Sequence, residues 1–241
     1  MIAILGVTSN DILYFRTKMQ VDRVEKVFGG VEVYIGKIFT EDAVVAAVGI
    51  SNYQSVVTTS AIIARYDPYL IIALSIVHSV SKDLRQGDLC LVDRVYLADI
   101  DYSGRKPVPY GQIPGMPPFF LADSELLQKA EAEAYLVTDR YIQHAFLLSS
   151  NVYYTSLPEV EKVLSEHYRS QEGIRITDNA VGGIAMAAHS GNVPAIYLMT
   201  VGEEIGNPEQ KINWVRKGLE AAPTLGKSVT RMLLDTGDSN A

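Results

Sequence analysis

Residues 69–79, "YLIIALSIVHS", decide how the chain is read. The run from Tyr69 to Leu74 is apolar at every position, the mark of a strand covered on both faces and therefore central in an α/β sheet. Ligands of such sheets sit where strands end, and glycine usually lets the backbone approach them there. No glycine occurs between Gly49 and Gly87, so this strand exit carries branched side chains and one imidazole, His78.

Outward from that strand, short β-rich runs alternate with helical periodicity. "IAILGV" (2–7) predicts a first strand, and "VEVYIGKIF" with "AVVAAVGI" predicts a hairpin over 31–50. Ser51 and Asn52 offer caps for a helix over "YQSVVTTSAIIARY", ended by Asp67-Pro68. After Gly87-Asp88 comes a strand in "LCLVDRVYLADI", then a Pro/Gly-rich loop at 102–120 whose aromatics suggest packing. Asp123-Ser124 cap a helix, "AFLLSS" (145–150) is a strand, and Pro158 opens another helix. "GIRITDNAVGGIAMAAHSG" reads as strand, turn and small-residue helix, and "VPAIYLMTVGEE" as a buried strand ending in acid. A last helix is expected from about Asn207 to Asp235, kinked at Pro223. Alternating strands and helices with no linker predict one α/β domain, 1–241, built as a three-layer sandwich.

Composition narrows the function classes. A chain of 241 residues with 48% apolar and 20% charged residues can bury a substantial core. The net charge of −7 with dispersed Lys and Arg argues against a nucleic-acid partner. Cys90 is the single cysteine, which excludes an internal disulfide and suggests a reducing, cytoplasmic setting. The apolar run at the N-terminus is too short for a signal core or a membrane span. Four dispersed histidines and no G-x-G-x-x-G or Walker pattern leave no metal site or cofactor to expect.

Four features occur in order: "ILGVTSND" at the start, "VGIS" before the first helix, "YGQIPGMP" at 110–117, and "GNVPAIYLMTVGEE" at 191–204. Together they resemble the nucleoside phosphorylase superfamily, and most of all its 5′-methylthioadenosine/S-adenosylhomocysteine nucleosidases, over essentially the whole chain. The resemblance implies a central mixed, twisted sheet between helices. It also implies a homodimer whose partner closes part of each pocket, and a small-molecule ligand. Its chemistry is hydrolysis of the bond between adenine and ribose, which needs an acid at the purine, a base for water and a carboxylate on the sugar hydroxyls.

Carried over residue by residue, the pattern changes. The water-activating carboxylate falls on Asp11, one methylene shorter than the family's glutamate. The purine acid falls on Glu203, one methylene longer than an aspartate, with Gly202 in place of a serine. Glutamate-methionine-glutamate becomes Asp178-Asn179-Ala180, so the sugar carboxylate falls on Ala180. Asp178 would need a rotated backbone to replace it, since adjacent residues point different ways. Glycine-serine-alanine-glycine-glycine becomes Ser75-Ile76-Val77-His78-Ser79, with β-branched bulk where a nucleoside would lie. Tyr153 takes the purine-stacking position, Tyr154 follows it, and the expected basic residue is Met199. The expected catalytic groups are thus Asp11, His78 and Glu203. The expected lining is Ile76, Val77, Tyr153, Tyr154, Asp178, Asn179 and Met199.

Blander roles stand beside these. Asp11 could cap the first helix, Cys90 would be core, and Gly182-Gly183 would permit close helix packing. Asp99 and Asp101 would be solvated turn acids. Three functions follow: a nucleosidase of altered efficiency or specificity, a scaffold repurposed for acid/base isomerisation or cyclisation of an apolar substrate, or a non-catalytic binding homologue. Phosphorolysis is disfavoured by Met199 at the basic position.

Overall fold

A computed structural model describes residues 1–104, 108–138, 142–211 and 223–233. Along the chain run β1 (Ile2–Gly6), α1 (Leu13–Lys18), β2 (Gln20–Lys26), β3 (Glu32–Ile38), β4 (Glu41–Ala47) and α2 (Asn52–Tyr66). Then come β5 (Leu70–Ser79), β6 (Leu89–Leu97), β7 (Phe120–Leu121), α3 (Ser124–Val137), β8 (Ile142–Ser149) and α4 (Leu157–His167). The chain continues through β9 (Ile174–Asp178), α5 (Val181–Ser190), β10 (Ala195–Glu204) and α6 (Pro208–Lys211), and residues 223–233 are again helical. The expected helix from Asn207 to Asp235 falls partly outside the described residues, since 212–222 and 234–241 lie beyond them.

The sheet is mixed, as expected, and β5 is its hub. β5 runs parallel to β1 and to β10, and its last two residues pair antiparallel with β9. β10 pairs with β6, β6 with β8, and β8 with β9, so five strands close into a ring. From that ring β1, β4, β3 and β2 extend as an open wing. Because side chains alternate along a strand, β1 and β5 feed two different layers. Ala3, Leu5, Ile71 and Ala73 share a core with Ile62 of α2 and Val181, Ile184 and Ala188 of α5. Ile2, Ile4, Leu70, Ile72 and Leu74 pack with Phe15 of α1, Leu127 and Ala134 of α3, and Val229 and Met232 of the last helix. Each fully buried isoleucine or leucine in these layers contributes about 1.5–3 kcal/mol of burial.

Local chemistry sets the element ends. The Ser51 hydroxyl accepts the Gln54 N–H to start α2, and Asp67 ends it with a left-handed φ of 46° before Pro68. The Asp123 carboxylate accepts from Leu126 N at 3.0 Å to start α3. Gly182 and Gly183 do permit close packing: a Cβ at Gly183 would lie 2.3 Å from the Asn52 carbonyl oxygen. The sequence pattern does not announce β2, because that edge strand is solvated at nearly every position and lacks apolar alternation. Cys90 is fully buried in the core, as expected. No helix among the described residues is long and apolar enough to cross a membrane.

Candidate functional site

A cavity of about 390 Å³ opens where β1, β5, β8 and β9 end. Its wall is made by Val7, Thr8, Asn10 and Asp11 after β1, Ile50 after β4, and Ser75, Ile76 and His78 of β5. Asn151, Tyr153, Asp178 and Asn179 complete it from the ends of β8 and β9. This is the strand-exit location that α/β sheets use for ligands.

Asp11 lies in this wall and does not cap α1, whose N-cap is Ile12 without a side-chain hydrogen bond. One carboxylate oxygen accepts from Thr8 N at 2.6 Å and from the Thr8 hydroxyl at 2.8 Å. The other accepts from Ile76 N at 3.1 Å, so the carboxylate bridges the exits of β1 and β5. Burial raises its pKa from 3.8 to about 6 against the lowering effect of those donors. A carboxyl in that range can exchange a proton near neutral pH.

His78 Nδ1 stands 2.9 Å from a Glu203 carboxylate oxygen, both side chains being buried. The cause of this proximity is a bulge in β10: Val201 lies opposite Val77, but Glu203 lies opposite His78, with Gly202 looped out between them. Without that extra residue Glu203 would face Ser79. His78 therefore stands at the cavity wall, with Glu203 beside it and outside the lining. Tyr153, 53% exposed, sets its ring edge-on to the imidazole at 5.7 Å and 87°.

Asp178, an expected lining residue, stands in the cavity wall. Its Oδ2 is engaged, however, accepting from Ala180 N at 2.9 Å and Val181 N at 2.7 Å at the start of α5. Complete burial raises its pKa, and these donors oppose the rise. Ala180 is fully buried and brings no polar group to the site. Asn179 donates to the Ser150 and Val152 carbonyls at 2.6 and 3.0 Å, which holds the turn that carries Tyr153.

Three expected lining residues lie elsewhere. Val77 is fully buried and points opposite to Ile76 and His78, into the core that α2 and α5 also cover. Met199 shares that core, since it has the parity of Tyr197 and Val201 on β10. Tyr154 packs against the cluster of Tyr96, Leu148 and Tyr168 behind the turn. Conversely, Val7, Thr8, Asn10, Ile50, Ser75 and Asn151 join the wall without having been signalled. Asp99 is not a solvated turn acid: it accepts from Asn151 N and Nδ2, each at 2.8 Å, and so orients a lining residue. Asp101 does behave as one, accepting from Ser103 N. No group of three or more metal-ligating side chains occurs among the described residues.

The chain matches the family model described as "Phosphorylase superfamily" over residues 1–233. A 5′-methylthioadenosine/S-adenosylhomocysteine nucleosidase of Listeria monocytogenes is 24% identical over 215 residues, covering 88% of this chain and 90% of that protein. One of Hydrogenovibrio crunogenus is 24% identical over 234 residues, covering 96% and 97%. In fold the chain is similar to the Neisseria meningitidis nucleosidase in complex with methylthio-immucillin-A, with a TM-score of 0.85 at 21% identity over 96% of this chain and 97% of that one. It is also similar to futalosine hydrolase of Helicobacter pylori, with a TM-score of 0.84 at 20% identity over 97% of both chains.

Proposed function

This chain belongs to the phosphorylase superfamily, and we propose that it hydrolyses the bond between a purine and the sugar of a 5′-modified nucleoside, methylthioadenosine or S-adenosylhomocysteine being the first candidates. The observation that carries the reading is Asp11, a buried cavity carboxylate held by three donors from two strand exits with its pKa at about 6. In the proposed step water attacks the anomeric carbon and gives its proton to Asp11 as the C–O bond forms. The C–N bond breaks as the departing purine takes a proton from His78, beside which Glu203 stands at 2.9 Å. Tyr153 provides a ring face at the mouth for the base. With Ala180 at the sugar-hydroxyl position, grip on the ribose is weaker than in a site with three carboxylates.

The same reading makes the protein a cytoplasmic homodimer, in which a partner covers the mouth beside Ile50 and Tyr153, exposed by 68% and 53%. Sedimentation at micromolar concentration reports the assembly. The test of the chemistry is adenine release from both nucleosides. Release by the wild-type protein, reduced about 100-fold or more in Asp11→Asn, supports the proposal. Absence of release from either nucleoside at high enzyme concentration overturns it.

The apolar contribution of Val7, Ile50 and Ile76 to the wall favours a second reading, acid/base isomerisation or cyclisation of an apolar non-nucleoside substrate. Thermal stabilisation by hydrophobic ligands together with none by adenine would replace the first reading with this one.

A further inference from the structure

A second cavity, of about 430 Å³, lies at the other end of β10 and has no part in the chemistry above. It is enclosed by Phe119, Phe120 and Asp123 on one side, by Ala185 and Ala188 of α5 on the other, and by Tyr197 of β10. Ala195 and Glu203 mark the two ends of β10, roughly 25 Å of extended strand apart, so a ligand here would not touch the cavity of Asp11.

Tyr197 is the informative residue. It is 1% exposed, it lines the cavity, and its hydroxyl has no hydrogen-bond partner among the described residues. Buried tyrosines ordinarily place the hydroxyl on a partner, because an unsatisfied one costs free energy. Burial also raises the phenol's pKa, so the group is protonated and offers a donor. Asp123, engaged at the start of α3, and His189, whose ring lies 5.6 Å from that of Phe120, are the titratable side chains beside Tyr197 in the lining, and no lysine or arginine lines the space. That disfavours an anionic ligand. Alanine methyls opposite two phenylalanines suit a flat ring better than a branched chain.

We propose that this cavity is a binding site for a neutral, planar aromatic ligand carrying a ring-nitrogen or carbonyl acceptor that takes the hydrogen bond of Tyr197. Quinoline serves as the probe, being planar, neutral above pH 7 and equipped with one ring nitrogen. Titration into protein labelled at alanine and isoleucine methyl groups should shift Ala185, Ala188 and Ala195 saturably and leave Ile50 and Ile76 unmoved. Tyr197→Phe removes one oxygen that has no protein partner, so the fold is retained. It should weaken quinoline about threefold to tenfold, the range of one neutral hydrogen bond. Shifts confined to Ile50 and Ile76, no shift at millimolar probe, or equal affinity in Tyr197→Phe would each overturn the proposal.

Discussion

The turn after β1 and the end of β9 each present a buried aspartate to one cavity, and they differ in what the carboxylate does. Asp11 collects its donors from Thr8 and, across the sheet, from Ile76. Asp178 directs one oxygen to two consecutive N–H groups of its own chain, Ala180 and Val181, and in doing so starts α5. Burial raises the proton affinity of both. Burial alone therefore does not fit a carboxyl for proton exchange; the donors' other duties decide whether the group can change its protonation state without unseating a helix.

The largest effect that separates the two is on turnover. Asp11→Asn should lower adenine release by at least about 100-fold, the loss typical of a general base. Asp178→Asn, which keeps an oxygen for the α5 N–H groups, should cost less than about tenfold. Equal losses would erase the distinction.

The next effect is on stability against pH. The folded chain holds the Asp11 proton up to about pH 6, whereas the unfolded chain releases it near 3.8. Between those values the folded state binds more protons, so stability falls as pH rises, by about 3 kcal/mol in total, and is level above the folded pKa. Denaturant unfolding of wild type against Asp11→Asn isolates this term. Their difference should change between pH 4 and 6 and stay constant above 7. A difference independent of pH would place the Asp11 pKa near its ordinary value.

Helix starts provide the smaller effects. Asp178→Ala removes the acceptor of two buried N–H groups and should destabilise the protein by about 2 kcal/mol, a fall of roughly 4–8 °C in Tm. Ser51→Ala removes a half-buried cap with one hydrogen bond at α2 and should cost about 1 kcal/mol. Calorimetry that ranked these two in the opposite order would mean that Asp178 is not the main support of α5.

Much of the molecule was legible beforehand. Apolar runs marked β1, β5 and β10, capping residues marked α2 and α3, and Pro158 marked the start of α4. Asp11, Ile76, His78, Tyr153, Asp178 and Asn179 were all singled out and all line one cavity. The errors have a common form. Val77, one of five consecutive aligned positions, and Met199, the aligned basic position, both lie in the core, because a strand shows alternate residues to opposite sides. Parity along "SIVHS" separates Val77 from Ile76 and His78, although Ser75, of the same parity as Val77, also reaches the wall. Tyr154 fails for a similar reason, since a turn sends consecutive side chains apart. Nothing local marked Thr8 as the holder of Asp11, because a hydroxyl in a turn is ordinary until the carboxylate beside it is buried.

The sequence by itself determined the superfamily, the alternation of strands and helices, and which acids and imidazole stand at strand ends, because those depend on residue type and local periodicity. Only the tertiary structure decided that β5, β10, β6, β8 and β9 close into a ring and that a bulge at Gly202 sets Glu203 beside His78. It likewise decided that Asp11 and Asp178, so similar in the chain, have unlike duties. The reason is that register, bulges and hydrogen-bond partners between distant segments are settled by packing the whole sheet, which no short stretch of residues encodes alone.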